Sequence, residues 1–251
     1  MDSGVADAGG APELIVATDP VARAAALLVE WLRDATSDAE GTEEPPATKA
    51  RAVRLAISGG SALEVVLRAA PLCGPLWSQV ALTWVDERCV PLSDPDSNRG
   101  EAMRRGLPAP GFVVPLLEDG ESPDAAVARY ARAHADVLGG SLDLVVLGLG
   151  PDGHVASLFP GRVWAADRVV AFVPDSPKPP PRRLTLTRSA LARAHRTLLF
   201  ATGESKRGAL ERLLRGDPAL PATGLPGLVV VTDLAGAAHA PPGSSPSPPR
   251  R

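Results

Sequence analysis

Short apolar runs alternate along this chain with longer stretches whose apolar residues recur three or four positions apart. The runs Glu13 to Thr18, Val53 to Ile57, Val80 to Val85, Val113 to Leu116 and Leu142 to Leu147 predict strands. So do Val169 to Val173, Arg183 to Thr187, Thr197 to Thr202 and Leu228 to Thr232. Between them the spacing predicts helices: Asp19 and Pro20 open one that runs to Leu32, and Leu63, Val66 and Leu67 share a face within Ala62 to Ala70. Ser97 caps a third through Leu107, and two more span Ser122 to Leu138 and Glu204 to Arg215. Apolar runs without strict alternation are those of strands covered on both faces.

Breaks in the pattern set the boundaries. The Asp, Glu, Thr, Ser and Pro of Asp34 to Lys49 predict a surface loop, and Pro177 to Pro181 a stiff connection that excludes regular helix. Residues 1–12 read as a flexible N-terminus, 13–236 as a single domain, and 237–251, rich in Pro and Ser, as a disordered tail. The fold class expected is α/β, a mainly parallel open sheet with helices on both faces, Rossmann-like.

At 251 residues, 45% hydrophobic and 22% charged, the chain can bury one large core. A net charge of -3 gives no basic field for nucleic acid, so an anion site has to be local. Cys73 and Cys89 are too few for a disulfide framework or zinc cluster, the N-terminus lacks a signal-peptide pattern, and no apolar run reaches membrane-spanning length. The expected setting is cytoplasmic, without membrane contact. Lys49, Lys178 and Lys206 are the three lysines among 26 basic residues, a bias that makes each of them worth examining.

In open parallel sheets ligands bind beyond the carboxyl ends of the strands, and the candidate chemistry lies there. Ser58-Gly59-Gly60-Ser61 joins a strand to a helix, where small residues and unpaired N–H groups suit a phosphate. Taken alone, the same turn is equally a tight βα connection with Ser61 as cap. Asp86-Glu87-Arg88 follows the next strand, with Asp94, Ser97, Asn98 and Arg99 downstream; Arg88 offers a fork to phosphate, and Asp86 or Glu87 hydroxyl binding or arginine orientation. Leu147-Gly148-Leu149-Gly150-Pro151-Asp152-Gly153-His154 places a carboxylate and an imidazole in a glycine loop, which makes His154 a candidate general base. Arg183, after Pro179 to Pro181, and Lys206, after Thr202-Gly203, each sit at an element boundary open to an anion. His134, His195 and His239 carry no assigned role.

Taken in this order, these segments resemble the 6-phosphogluconolactonase family, within the wider group that includes glucosamine-6-phosphate deaminases. The resemblance runs from about Glu13 to Asp233 and is carried above all by Asp86-Glu87-Arg88 with Ser97-Asn98, and by Asp152-Gly153-His154-Val155-Ala156-Ser157-Leu158-Phe159-Pro160. It implies hydrolysis of 6-phospho-D-glucono-1,5-lactone without metal or cofactor. The phosphate would lie among Ser58, Gly59, Gly60, Ser61, Arg88 and Lys206, with Asp86, Asn98, Gly150, Gly153 and Arg183 completing the binding set and His154 and Asp152 serving the lactone. The chain departs from the family at Ala62-Leu63, where Thr-Pro usually follows the Ser-Gly-Gly-Ser turn. A deaminase-like isomerase is the nearest competitor, but its histidine loop usually continues into Phe-Asn-Glu-Pro, and Ala156 to Pro160 lacks that Asn and Glu. A non-catalytic sugar-phosphate sensor would need a DNA-binding unit, for which the stretch before Glu13 is too short. A chain coupled to glucose-6-phosphate dehydrogenase without turnover is the third alternative. A monomer is expected.

Overall fold

The computed structural model describes residues 12–40, 52–162 and 167–237. Ten strands form: β1 Glu13–Val16, β2 Val53–Ile57, β3 Val80–Trp84, β4 Asp86–Arg88, β5 Phe112–Val113, β6 Leu144–Gly148, β7 Val170–Val173, β8 Arg183–Leu186, β9 Arg196–Phe200 and β10 Leu228–Thr232. Six α-helices accompany them: α1 Pro20–Glu40, α2 Leu63–Cys73, α3 Asn98–Arg104, α4 Pro123–Asp136, α5 Arg188–Leu191 and α6 Arg207–Leu214. Seven strands make one sheet in the order β1-β10-β9-β6-β2-β3-β5, with every pairing parallel. The α/β expectation is met. β2 and β3 are buried at every residue and β6 along all but its last, which explains their mostly apolar sequences, with Arg54 of β2 and Thr83 of β3 as the buried polar exceptions.

The chain path makes the crevice. From β2 the chain moves outward through β3 to β5, while from β6 it moves the other way through β9 to β10. The order therefore reverses between the neighbours β2 and β6, the position at which such sheets bind ligands. Right-handed crossovers place the helices of the two halves on opposite faces, and α1 packs against α2 on one of them.

Three expectations change. Residues 41–49 of the predicted Asp34 to Lys49 loop lie outside the described residues, and its first part is helical, because α1 continues to Glu40. Its Thr36 and Ser37 hydroxyls donate back to the Leu32 and Arg33 carbonyls, so polar residues remain compatible with the helical turn. Asp86–Arg88 is itself a strand: β4, β8 and β7 form a separate antiparallel sheet in that order, so the expected strands Val169 to Val173 and Arg183 to Thr187 leave the main sheet and pair with one that apolar patterning did not mark. The three polar residues of β4 carry no apolar run of their own. Helix α5, capped by the Thr187 hydroxyl accepting from the Ala190 N–H, was also unforeseen. The N-terminal and C-terminal tails lie, but for Pro12 and Ala237, outside the described residues.

Candidate active site

Above the switch point lies a cleft of about 290 Å³, walled by the β2 turn, the β6 loop, the small sheet and the start of the segment leading to α6. Ser58, Gly59, Gly60, Ser61, Asp86, Arg88, Asn98, Gly150, His154, Arg183 and Lys206, drawn from segments up to 148 positions apart, share that wall. Gly153 does not reach it: its φ of +91° turns the loop, and a Cβ there would meet the Leu220 side chain at 2.4 Å. Gly153 shapes the loop that carries His154.

The β2 and β6 segments are tied at the rim. The Ser58 N–H donates to the Val146 carbonyl at 2.9 Å, and the Gly148 N–H to Ser58 Oγ at 3.3 Å. The next residues, Gly60 to Ala62, form a 3-10 turn leading into α2, whose first N–H, that of Leu63, donates back to the Gly60 and Ser61 carbonyls, so that the donors left for a ligand belong to the turn ahead of it. Gly59 permits a close approach, since a Cβ there would stand 2.1 Å from Asn98 Oδ1.

Glu87 turns away from the cleft. Its carboxylate accepts from the N–H groups of Arg88, Asn98 and Arg99 at 2.7 to 2.8 Å, and so anchors the start of α3. Burial pushes its pKa up against those bonds. Asp86 faces the other way: Oδ2 accepts from Ser157 Oγ at 2.7 Å, Oδ1 from Asn98 Nδ2 at 3.2 Å, and Arg183 lies 3.9 Å away. It ties α3, the histidine loop and β8 together. Buried Ser157, which the sequence reading left out of the site, is one of these links.

Arg183 lines the cleft, yet most of its donors are already engaged. Nε donates to the Pro180 carbonyl at 2.9 Å, one terminal nitrogen to the Lys178 and Pro179 carbonyls at 3.1 and 3.0 Å, and the other to Ser157 Oγ at 3.4 Å. The geometry gives it a latching role beside its place on the cleft wall. Arg88 and Lys206 differ. Each is half-buried and faces the cleft without a carboxylate partner among the described residues. One Arg88 terminal nitrogen donates to the Asp96 carbonyl, while its buried Nε has no partner among the described residues. Burial, and then the nearby Lys178 charge, push the Lys206 pKa down.

His154 Nδ1 lies 2.5 Å from Asp152 Oδ1, and Nε2 has no hydrogen-bond partner among the described residues. An unprotonated Nδ1 would set a lone pair against a carboxylate at that distance, so the proton sits on Nδ1 and the basic lone pair on Nε2. Burial lowers the His154 pKa below its ordinary value, opposed by the Asp152 bond and charge. Burial opposes ionisation of Asp152 too, but the His154 bond and charge, with Lys178, outweigh it and hold the carboxyl at about 2. The ring packs on Phe159, centroids 5.0 Å apart. Three N–H groups of the glycine loop are engaged within the protein: Leu149 donates to the Phe200 carbonyl, Gly150 to that of His154 and Gly153 to that of Gly150. Lys178, noticed for its rarity but not placed in the site, reaches within 3.2 Å of His154 Nδ1 and 3.4 Å of Asp152 Oδ1. Its scarcity among so many arginines was the available signal.

Residues 18–230 match the family described as glucosamine-6-phosphate isomerases/6-phosphogluconolactonase. The 6-phosphogluconolactonase of Rattus norvegicus is 37% identical over 183 residues, 67% of this chain and 71% of that one. That of Caulobacter vibrioides is 40% identical over 181 residues, 67% of this chain and 76% of its own. Among solved structures, a 6-phosphogluconolactonase from Thermotoga maritima superposes with a TM-score of 0.69 at 26% identity, covering 88% of this chain and 98% of that one. Among the described residues no helix is long and apolar enough to cross a membrane. With a crevice built at the reversal of strand order, an oriented histidine and cations facing it, the chain belongs to the glucosamine-6-phosphate isomerase/6-phosphogluconolactonase family.

Proposed function

We propose that this chain is a 6-phosphogluconolactonase, hydrolysing 6-phospho-D-glucono-1,5-lactone to 6-phosphogluconate with His154 as general base and then general acid. The observation that carries the reading is the pairing, in one cleft, of unmatched Arg88 and Lys206 with an imidazole whose Nε2 is free. Two cations without carboxylates suit a phosphate dianion, for which the Ser58 to Ser61 turn adds backbone donors.

Nε2 takes a proton from water as its oxygen attacks C1, and the carbonyl electrons move onto the carbonyl oxygen. Collapse of that intermediate breaks the bond from C1 to the ring oxygen, which receives the proton from the imidazolium. The sum is lactone plus water to hydroxy acid. With the N–H groups of Leu149, Gly150 and Gly153 engaged internally, the positive field of the cationic wall stabilises the developing oxyanion while Arg88 and Lys206 hold the phosphate. Asp152 keeps the Nδ1 proton in place and balances the imidazolium that forms.

The rival deaminase reaction opens a ring and isomerises an amino sugar, which needs further acid and base groups. The cleft carboxylate Asp86 is tied to Ser157, Asn98 and Arg183, and the positions after His154 supply neither Glu nor Asn. Decay of the lactone measured against its spontaneous hydrolysis, with glucosamine 6-phosphate run in parallel, tests the assignment. Acceleration of the first alone is expected; release of ammonia from the second without lactone turnover would reverse it. His154→Asn should lower kcat by about 10² to 10⁴ with KM little changed. The reading extends to one domain over 13–236, a monomer in the cytoplasm, for which sedimentation of the purified chain at micromolar concentration checks the oligomeric part.

A further inference from the structure

Lys178 stands on a proline-rich segment outside both sheets, yet its ammonium ends beside the catalytic pair. The segment is held from below. Arg183, on β8, donates to the carbonyls of Lys178, Pro179 and Pro180 in succession, and Ser176 Oγ accepts from the Lys178 N–H at 3.2 Å. Arg183 is fixed in turn by Ser157 and Asp86. A guanidinium with fixed planar donors, buried and bonded to three consecutive carbonyls, leaves that backbone little freedom.

The contacts at the far end of Lys178 allow one arrangement of protons. If Nδ1 of His154 accepted from Lys178, its lone pair would point at Asp152 Oδ1 2.5 Å away. With the proton on Nδ1, Asp152 accepts from both His154 and Lys178, and every contact is attractive except that between the ammonium and the ring. The exception matters: a positive charge 3.2 Å from Nδ1 opposes a second proton on the imidazole and leaves the Nε2 lone pair available.

We infer that Lys178 is a positioning residue for the reaction: latched by Arg183, its ammonium holds Asp152 and His154 in the state with the proton on Nδ1 and Nε2 open to water. The inference rests on the reading of His154 as base and adds the group that keeps it ready. The other charges facing His154 are Asp152 from its own loop and Asp86 from β4; Lys206, ahead of α6, faces Lys178 and Asp152. Arg183 lies beyond Asp86. Removing Lys178 therefore leaves two carboxylates that favour the imidazolium, with the more distant Lys206 against them.

The test follows the His154 imidazole by NMR in histidine-labelled protein, assigned by its loss in His154→Asn, beside the pH profile of kcat/KM. In Lys178→Met both the ring titration and the acid limb should move up by about one pH unit, with KM at alkaline pH nearly unchanged. Lys178→Arg should restore much of the profile, and Arg183→Lys, which loosens the latch, should move it in the same direction as Lys178→Met. A ring titration that stays in place in a folded Lys178→Met overturns the inference. So does a rise in KM with an unmoved acid limb, which would make Lys178 a substrate ligand. If the ring titration moves but His154→Asn retains full kcat, the coupling stands and the assignment of His154 as base falls.

Discussion

At the residue scale, the His154–Asp152 pair depends on an atom that is missing. A Cβ on Gly150 would stand 1.9 Å from His154 Nδ1 and 2.6 Å from Asp152 Oδ1. Gly150→Ala should therefore displace the imidazole and lower kcat by about 10²-fold, the scale of an ångström's misplacement, while its circular dichroism remains that of the parent. Ala156 makes a related point. It lines the cleft at φ +52°, left-handed backbone that a residue with a Cβ adopts at some cost. Ala156→Gly should raise the melting temperature or leave it unchanged, and Ala156→Val should lower it, as a thermal melt would read. The strain sits between His154 and Ser157, and lets consecutive residues serve the cleft and the buried Asp86 contact.

At the scale of elements, α4 carries a pH dependence separate from catalysis. His134 is buried in that helix with Nε2 unpartnered among the described residues. Burial, and after it the charges of Arg193 and Arg54, push its pKa down to about 4. The folded state thus holds His134 neutral where the unfolded chain, titrating near 6.5, already takes up a proton. Stability from this group is present above about pH 6.5 and is lost as pH falls toward 4, by up to roughly 3 kcal/mol. Denaturant unfolding at a series of pH values should show that loss in the parent, and a smaller one in His134→Leu.

On the scale of the whole molecule, the two ends of the parallel sheet have different tasks. The cleft occupies the carboxyl rim. Near the other rim, Arg54 in β2 and Asp143 just before β6 form a buried bidentate pair, Nε to Oδ2 at 2.8 Å and a terminal nitrogen to Oδ1 at 2.5 Å. Arg54 also donates to the Leu138 carbonyl at 3.0 Å, so the pair joins the same two strands whose far ends frame the crevice. Arg54→Met leaves a buried carboxylate without this partner and should cost about 3 to 5 kcal/mol in unfolding free energy. Below its melting temperature, kcat/KM should match the parent, since the cleft lies a strand length away.

Much of this protein could be read from its sequence because the deciding interactions are local. Parallel strands covered on both faces need mostly apolar runs, so Val53–Ile57 and Leu228–Thr232 were placed to the residue. Helix starts need oxygen caps, and Ser97 accepts from the Gly100 N–H as its position foretold, while Ser122, read as the start of a helix, accepts from the Ala125 N–H. The rule that ligands bind beyond strand ends then picked out the turns that share the cleft. What tertiary structure alone decided is where each side chain's hydrogen bonds go. Adjacent Asp86 and Glu87 point to opposite tasks because successive residues of a strand face opposite ways. Arg183 latches a loop because its donors meet carbonyls there, and Lys178 joins the site because that loop folds back over it. Periodicity in a sequence records which face is buried; it carries no record of which distant polar atom waits on that face.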